Sequence, residues 1–200
     1  KELSPKLSIV ADMRDLLWSF HPFGSIARRA VNSYQLRRAR KLIPGWLRQV
    51  DGVIVPDGSF VDAVKQHCDA PVKVVPTPFD PDNFEELPKY RRGEKFKILH
   101  SGSIHRHNDG GSLFYIFTIL PDDVLSRIEL HLQGYMPRRI ERLFGEVEWA
   151  KLMNHIPHRA ALSSQVQADV NLVFVTTPSR AGGNQIVPGK VFDYIGAGRP

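Results

Sequence analysis

The sequence predicts an α/β protein made of two units, each with a parallel β-sheet. Short apolar runs typical of buried strands alternate with helical segments along most of the chain, which indicates parallel strands joined by helices. Residues 79–93 are instead polar, charged and rich in proline, the composition of a connecting segment. We therefore expect a domain at residues 1–88, a linker at residues 89–95 and a second domain at residues 96–200.

The first domain is predicted to contain three strands, because three short apolar runs end at charged residues or at proline. These strands are residues 7–11, 52–56 and 72–75. A helix begins at Ser25, a suitable N-cap, and extends to about Ile43. Pro44 and Gly45 are expected to break or kink this helix, since proline removes a backbone donor. A shorter helix follows at residues 59–67.

The second domain continues the same alternation of strands and helices. Its strands are predicted at residues 96–100, 128–132, 152–153 and 169–175. Its helices are predicted at residues 113–120, 138–144, 160–167 and 190–198. The run at residues 169–175 is strongly apolar and therefore favours a buried strand, whereas residues 152–153 predict only a weak one.

Cysteine content and charge exclude several classes of protein. Cys68 is the only cysteine, so an internal disulfide framework is excluded and a reducing compartment is favoured. Residues 1–50 hold ten Lys and Arg against three Asp and Glu, whereas the remaining residues carry a net charge of −1. Because the positive charge is local, a nucleic-acid-binding surface along the whole chain is not expected. No apolar run reaches the ~20 residues of a membrane span.

Residues 188–200 combine a Pro-x-Lys opening, an acidic-aromatic pair and a tail of small residues. We expect a loop that leads into a helix, with Lys190 and Asp193 on one face of its first turn. Backbone N–H groups at the start of a helix favour anions. A lysine, a carboxylate and these amides together suit a ligand that carries both phosphate and hydroxyl groups.

Two glycine-containing loops follow predicted strands of the second domain, at residues 101–111 and 178–185. Ligands of open parallel sheets bind beyond the carboxyl ends of the strands, which is where both loops are expected. Glycine allows close approach of the backbone, and Arg106 suits a bidentate contact with phosphate. The loops therefore point to an anion site shared with Lys190, although ordinary turns between strands and helices remain the alternative.

The histidines do not form a recognisable metal-binding motif. His100, His105 and His107 lie close together, with His155 and His158 further along the chain. No cysteine accompanies them and no His-Glu-x-x-His pattern exists, so we expect solvated loop histidines and no bound metal. The sequence also lacks the Gly-x-Ser-x-Gly elbow of a serine hydrolase and the Gly-x-Gly-x-x-Gly fingerprint of a dinucleotide-binding protein.

Residues 26–48 form a basic segment with two interpretations. Lysines and arginines are frequent there, and no acidic residue occurs between Asp15 and Asp51. A basic amphipathic helix of this kind suits contact with anionic lipid. The alternative, of similar weight, is a helix that packs its apolar side in the core and exposes its arginines to water.

Five segments resemble motifs of the retaining glycosyltransferases of family four, which have the GT-B fold of two facing Rossmann-like domains. They are residues 51–58, 73–84, 98–103, 155–170 and 188–200. Residues 12–18 are also similar to a run in bacterial members that act in surface-polysaccharide assembly. Each motif is weak alone, but five in matching order and spacing form a strong signal. The resemblance implies a GT-B fold that is truncated at both ends.

The resemblance also implies a function. A hexosyltransferase-type enzyme would move a sugar from a nucleotide diphosphate sugar to a glycan or lipid-linked acceptor, with no metal or other cofactor. Lys190 would lie beside the diphosphate and stabilise the leaving group, and Asp193 would hydrogen-bond the donor ribose. Asp12 or Asp15, as catalytic residues, would face the acceptor. The other donor-binding residues would be Gly102, Ser103, Arg106, Asn184 and Gln185.

The sequence departs from the family pattern at three positions of this donor site. Asp193 stands where glutamate is usual, Gln185 where many relatives have a second glutamate, and Ser103 where arginine is usual. These departures favour an alternative, a catalytically inactive GT-B module that binds a nucleotide sugar or scaffolds a glycan-assembly complex. We expect a cytoplasmic location, with the basic segment at residues 26–48 as the candidate for peripheral contact with the inner face of the cell membrane.

Overall fold

The computed structural model describes residues 7–14, 26–105, 110–174 and 188–200, with only the backbone described at residues 26–32. The described residues form two compact units, one up to Thr77 and the other from Pro78 onward. Each unit contains one parallel sheet with helices between its strands. The predicted α/β class with two parallel sheets is therefore confirmed.

The first unit is built around a three-stranded sheet with β2 at its centre. The strands are β1 (Val10–Asp12), β2 (Gly52–Val55) and β3 (Val72–Val74). The helices are α1 (Ile26–Leu47), a 3-10 turn (Gly58–Phe60) and α2 (Val61–Lys65). Val53 and Val55 of the central strand are buried together with Phe60 and Val64 in one apolar core. Burial alternates along β2, so Val53 and Val55 share the face that is turned to this core.

Of the two outcomes predicted at Pro44-Gly45, a break and a kink, the break is wrong, because helix α1 continues through Pro44 and ends at Leu47. A proline inside a helix costs about 3 kcal/mol. Ile43 and Leu47, on either side of it, are both buried in the core of the first unit. Burial of each such side chain contributes about 1.5–3 kcal/mol, which offsets the cost of the proline. The local sequence therefore favours an end of the helix at Pro44, but the burial of Ile43 and Leu47 in the core outweighs this preference.

The second unit contains a four-stranded parallel sheet in the order β6–β5–β4–β7. The strands are β4 (Phe96–Ser101), β5 (Ile128–Gln133), β6 (Ala150–Met153) and β7 (Val170–Asn171). The helices are α3 (Asp82–Glu85), α4 (Gly110–Thr118), α5 (Asp122–Leu125), α6 (Arg138–Phe144), α7 (His158–Val166) and α8 (Lys190–Gly196). All four predicted strands are present, although β7 is much shorter than predicted. The short helices α3 and α5 were not predicted.

An aromatic cluster fills the core of the second unit. Leu130 and Leu132 of the central strand β5 are fully buried. Trp149 stacks on Phe117 with 5.0 Å between ring centroids and meets Phe144 edge-on at 5.9 Å. Aromatic pairs of this geometry add about 0.5–1.5 kcal/mol each beyond the area that they bury. The apolar layer thus fixes β4 and β5 side by side, with their carboxyl ends at one edge of the sheet.

Residues 78–95 pack on the second unit rather than forming a separate linker. Arg159 pairs with Glu86 at 2.6 Å, and the Tyr90 hydroxyl donates a short hydrogen bond to Asp169. The Gln167 amide donates to the Pro88 carbonyl at 2.9 Å. These side-chain bonds attach the proline-rich segment to the second compact unit, which begins at Pro78.

Two aromatic side chains of this segment rest against helix α8. Phe79 and Phe84 form an edge-on pair with 5.9 Å between ring centroids. A Cβ atom added at Gly196 would lie 2.6 Å from Phe84 and 2.8 Å from Phe79. The absence of a side chain at Gly196 therefore creates the surface on which the two rings pack.

We predict that Gly134→Ala destabilises the second unit by about 2–4 kcal/mol, since Gly134 has φ +127° and a Cβ there would lie 2.7 Å from the Gly102 carbonyl carbon. The matched control is Gly189→Ala, because Gly189 has φ −54° and open space at its Cβ position. Urea unfolding measures both variants. Equal stability of the two would contradict the close approach at Gly134.

Candidate functional site

The carboxyl end of β4 brings Gly102 and Lys190 together. Gly102 directly follows β4 and has φ +129°, a conformation that favours glycine. Its amide donates to the Gln133 carbonyl at 2.7 Å, which fixes the turn to the end of β5. A Cβ atom at Gly102 would lie 2.6 Å from Lys190 Nζ. Glycine at this position therefore leaves the space that the lysine ammonium occupies.

His100 is the hydrogen-bonding partner of Lys190. The distance between Lys190 Nζ and His100 Nε2 is 3.4 Å, and His100 Nδ1 lies 2.9 Å from the Leu172 carbonyl oxygen. A carbonyl oxygen only accepts, so Nδ1 carries the proton and Nε2 is left as the acceptor for the ammonium. The three groups form a chain in which Lys190 donates to His100 and His100 donates to Leu172.

Burial keeps this imidazole neutral. The His100 side chain is fully buried, and burial lowers its pKa to about 4, with a further contribution from the nearby Lys190 charge. The hydrogen bond to Leu172 opposes this shift but does not cancel it. Burial also lowers the pKa of Lys190. The expectation of solvated loop histidines is therefore wrong for His100, because its position as the fifth residue of β4 places the ring inside the unit.

Tyr194 attaches helix α8 to the same edge of the sheet. Its hydroxyl oxygen accepts a hydrogen bond from the Ser101 amide at 3.1 Å and lies 3.3 Å from the carbonyl oxygens of both Ser101 and Leu172. Burial raises the pKa of Tyr194 to about 12, so the hydroxyl keeps its proton for one of these carbonyls. Because Lys190 begins α8 and Tyr194 lies one turn later, this contact sets the position of the lysine.

A side-chain network continues from Ser101 into the neighbouring elements. The Ser101 hydroxyl donates to Gln133 Oε1 at 3.1 Å, and Gln133 Nε2 donates to the Ser164 hydroxyl of α7 at 3.4 Å. Both Ser101 and Gln133 are buried. Buried polar groups that satisfy one another in this way define a single arrangement of the elements they join. Strands β4 and β5 and helix α7 are therefore fixed together beneath the candidate site.

Asp193 lies in the first turn of α8 with a partly exposed side chain. One of its oxygens is 4.0 Å from His158 Nε2, and the Asp193 side chain is 34% exposed. Both residues are accessible, so the carboxylate retains capacity to accept hydrogen bonds from a ligand. His158 begins α7, and no local sequence motif predicts its place beside Asp193.

The remaining predicted site residues divide into two groups. Ser103 follows Gly102 and is exposed, while the next residue, Ile104, is buried and anchors the turn. The other predicted donor-binding residues, Arg106, Asn184 and Gln185, lie outside the described residues, and their grouping with Lys190 and Gly102 stays a prediction. Asp15, predicted to face the acceptor, also lies outside the described residues.

Asp12 is the last residue of β1 in the first unit. Its carboxylate accepts a hydrogen bond from Arg14 Nη2 at 2.8 Å and forms an ion pair with Arg14 Nε at 2.8 Å. Arg14 also approaches the Thr77 hydroxyl at 3.5 Å. A bidentate pair of this kind holds the carboxylate in one orientation at the carboxyl end of the strand. The side chain of Asp12 remains about half exposed, which leaves it accessible to a ligand.

Within the part of the chain that the structure describes, no group of three His, Cys, Asp or Glu side chains could hold a metal ion. Among the described helices, none combines the length and apolar character needed to cross a bilayer.

Sequence comparison identifies no relatives, since no protein family and no curated protein matches the chain. Solved structures do match. WaaG, a glycosyltransferase of lipopolysaccharide biosynthesis, superimposes with a TM-score of 0.64 at 15% identity and covers 98% of this chain and 59% of its own. The trehalose-phosphate synthase of Burkholderia vietnamiensis gives 0.59 at 14% identity, covering 98% and 51%. HepE of Anabaena, solved with UDP-glucose, gives 0.58 at 13% identity, covering 96% and 52%.

These likenesses show the fold. The chain has the GT-B architecture of these glycosyltransferases, and it spans between half and three fifths of the length of each. Identity of 15% or less carries no residue-level or functional information by itself. The predicted fold class is confirmed, whereas membership of family four and a retaining mechanism stay predictions.

We predict that His100 makes the second unit less stable in acid. Its pKa is about 4 when folded and 6.5 ordinarily, so below pH 6.5 the unfolded state binds a proton that the folded state does not. The stabilisation is complete above pH 6.5 and is lost as the pH falls towards 4, by about 3 kcal/mol in total. Urea unfolding at pH 7 and at pH 4.5 measures the loss. In the His100→Asn control the loss should be smaller, and an unchanged pH dependence would show that His100 is not the cause.

We predict that Tyr194→Phe lowers the free energy of unfolding by about 1–3 kcal/mol, because the buried Ser101 amide loses its acceptor. Tyr135→Phe is the matched control, since the Tyr135 side chain is largely exposed. Thermal and urea unfolding compare the two. A similar effect of both substitutions would mean that the Tyr194 hydroxyl does not support the sheet edge.

Proposed function

We propose that the protein is a glycosyltransferase that moves a sugar from a nucleotide diphosphate sugar to a glycan or lipid-linked acceptor. The observation that carries this proposal is the Lys190 ammonium held beside Gly102 at the carboxyl end of β4. Ligands of open parallel sheets bind at this edge, and a lysine beside exposed backbone suits a phosphate. The shared fold supports the proposal, because the matching structures are glycosyltransferases.

The neighbours support uracil as the base of the donor nucleotide. The Burkholderia synthase is UDP-forming, HepE was solved with UDP-glucose, and the pneumococcal transferase GtfA was solved with UDP and GlcNAc. We propose a UDP-hexose as the donor of this protein on that basis. No cofactor is proposed, because Lys190 supplies the positive charge that the leaving diphosphate requires.

The proposed mechanism follows from where charge develops. The bond between the sugar C1 and the diphosphate oxygen breaks, and negative charge grows on the departing UDP. Lys190 stabilises that charge, and Asp193 accepts hydrogen bonds from the ribose hydroxyls. A new bond forms between C1 and an acceptor hydroxyl, whose proton passes to the departing diphosphate oxygen. Asp12 or Asp15 in the first unit is proposed to bind that hydroxyl, and the resemblance to family four favours retention of the anomeric configuration.

A second candidate is a GT-B module that binds a nucleotide sugar without turning it over. The departures from the family pattern at Ser103, Gln185 and Asp193 favour it. In this alternative, Lys190 still binds the diphosphate, and the difference from the enzyme lies in the reaction alone. Sugar release to an acceptor therefore distinguishes the two candidates.

The acceptor and the cellular location are proposed from the resemblance and from charge. The run at residues 12–18 and the lipopolysaccharide role of WaaG support a cell-surface glycan or glycolipid as the acceptor. We propose a cytoplasmic protein that contacts the anionic inner face of the membrane through the basic residues of helix α1 (Ile26–Leu47). Exposed Arg37, Arg38 and Arg40 support this placement.

We predict that UDP-sugars raise the melting temperature of the protein and that Lys190→Met and Asp193→Asn each weaken UDP binding by about 1–3 kcal/mol. Thermal shift with UDP-, GDP- and ADP-sugars identifies the base, and calorimetry gives the affinities. Lys151→Met is a matched control, because Lys151 pairs with Glu129 on β5. No shift with any of the three nucleotide sugars would overturn the proposed donor site.

A further inference from the structure

We propose that His100 is a positioning residue that holds the Lys190 ammonium in place for the donor diphosphate. This inference rests on the proposed function, since it concerns the lysine assigned to the diphosphate. It assigns a role to a residue that has no accessible surface and therefore cannot touch the donor itself.

The ring of His100 is fixed from two directions. Its Nδ1–H donates to the Leu172 carbonyl at 2.9 Å, which settles the tautomer and the tilt of the ring. Phe174 meets it edge-on with 4.8 Å between ring centroids and an interplanar angle of 71°. Since the ring can neither rotate nor exchange its proton to Nε2 without losing the Leu172 contact, the acceptor that faces Lys190 has a defined position.

Lys190 needs such a partner because its side chain is long and flexible. A lysine carries four rotatable side-chain bonds, and ordering them costs about 1.5–2 kcal/mol. Over the ranges that the structure describes, the ion pairs found include no carboxylate bound to Lys190. Among the described residues, the hydrogen bond found for the Lys190 ammonium is the contact with His100 Nε2 at 3.4 Å, and we assign its orientation to this contact.

A neutral acceptor has a consequence that a carboxylate would not have. A carboxylate at this position would orient the lysine but cancel much of its charge. The imidazole of His100 is uncharged, so it orients Nζ and leaves the full positive charge for an anion. An ammonium has three donors. With one donor directed at His100, the others remain for phosphate oxygens, and Gly102 beside Nζ leaves the approach unobstructed.

Two substitutions of His100 separate this role from simple packing. Glutamine places an amide near the position of Nε2 and can still accept a hydrogen bond from Lys190, while it loses the donor to Leu172. Asparagine places its amide near Nδ1, so it keeps the donor to Leu172 but lacks the acceptor that faces Lys190. A packing role predicts similar losses in both variants, whereas a positioning role predicts that only asparagine impairs the binding of the anion.

The test measures UDP affinity by calorimetry in the full chain. We expect His100→Asn to weaken UDP binding about 5- to 30-fold. His100→Gln is expected to retain most of the affinity. In the Lys190→Met background, His100→Asn should have no further effect, because the two residues act through one group. His131→Asn is the matched control, since His131 lies in the same sheet but pairs with Glu129, and it should leave the affinity unchanged.

The outcomes are distinct. If wild-type protein does not bind UDP, or if Lys190→Met binds as well as wild type, the proposed donor site fails and this inference fails with it. If Lys190→Met loses affinity while His100→Asn does not, the inference alone is overturned. Losses that add fully in the double variant would also overturn it. Should neither His100 variant fold, Gly102→Ala displaces Nζ with His100 intact, and unimpaired UDP binding there would contradict the positioning of Lys190.

Discussion

The hydroxyl group of Tyr194 is the contact on which the edge of the second sheet depends. It satisfies the buried Ser101 amide and lies within reach of two backbone carbonyls, those of Ser101 and Leu172. These carbonyls belong to β4 and to the segment after β7. The Tyr194 side chain therefore links the two at the edge of the sheet. An unsatisfied buried amide costs about 1–3 kcal/mol, a large part of the stability of a small domain. Helix α8 is thus part of the sheet edge and not a loosely attached element.

The electrostatic character of the site follows from that arrangement. Because α8 is fixed by Tyr194, its first residue, Lys190, reaches the end of β4 and meets a histidine that burial keeps neutral. Burial penalises charge on both groups, yet the lysine lies closer to solvent and has the higher intrinsic proton affinity. The proton therefore stays on the lysine. A cation held by an uncharged partner beside a glycine is suited to receive an anion, which is the chemistry that the proposed sugar transfer requires.

Much of the fold could be predicted from the sequence, because it depends on local apolar runs. The bounds of α6 at Arg138 and Phe144 match the prediction, and β4, β5 and β6 were placed within two residues. The errors arise where distant contacts decide. Pro44 stays inside α1 because Ile43 and Leu47 are buried, and residues 78–95 attach to the second unit through Glu86 and Tyr90. Neither contact is visible in local sequence.

The candidate site shows the same division. The closing motif indicated Lys190, and a glycine after a strand indicated Gly102, since both signals are local. The role of His100 was missed because burial depends on how the sheet is covered. Its place inside a predicted strand was the available signal, because a residue within a buried strand is enclosed whatever its polarity. The hydroxyl contacts of Tyr194 were missed for a similar reason, since Ser101 lies 93 positions away in the chain.

The packing of Phe79 and Phe84 on Gly196 has an evolutionary consequence. A Cβ atom at residue 196 would overlap both rings, so Gly196 forms one steric unit with two residues that lie more than a hundred positions earlier in the chain. A lineage that enlarges residue 196 must first shrink one of the aromatic residues, and a lineage that loses both rings is released from glycine. Correlated substitution at these three positions is therefore expected among homologues. Their total side-chain volume should be conserved more closely than the residue type at any one of them.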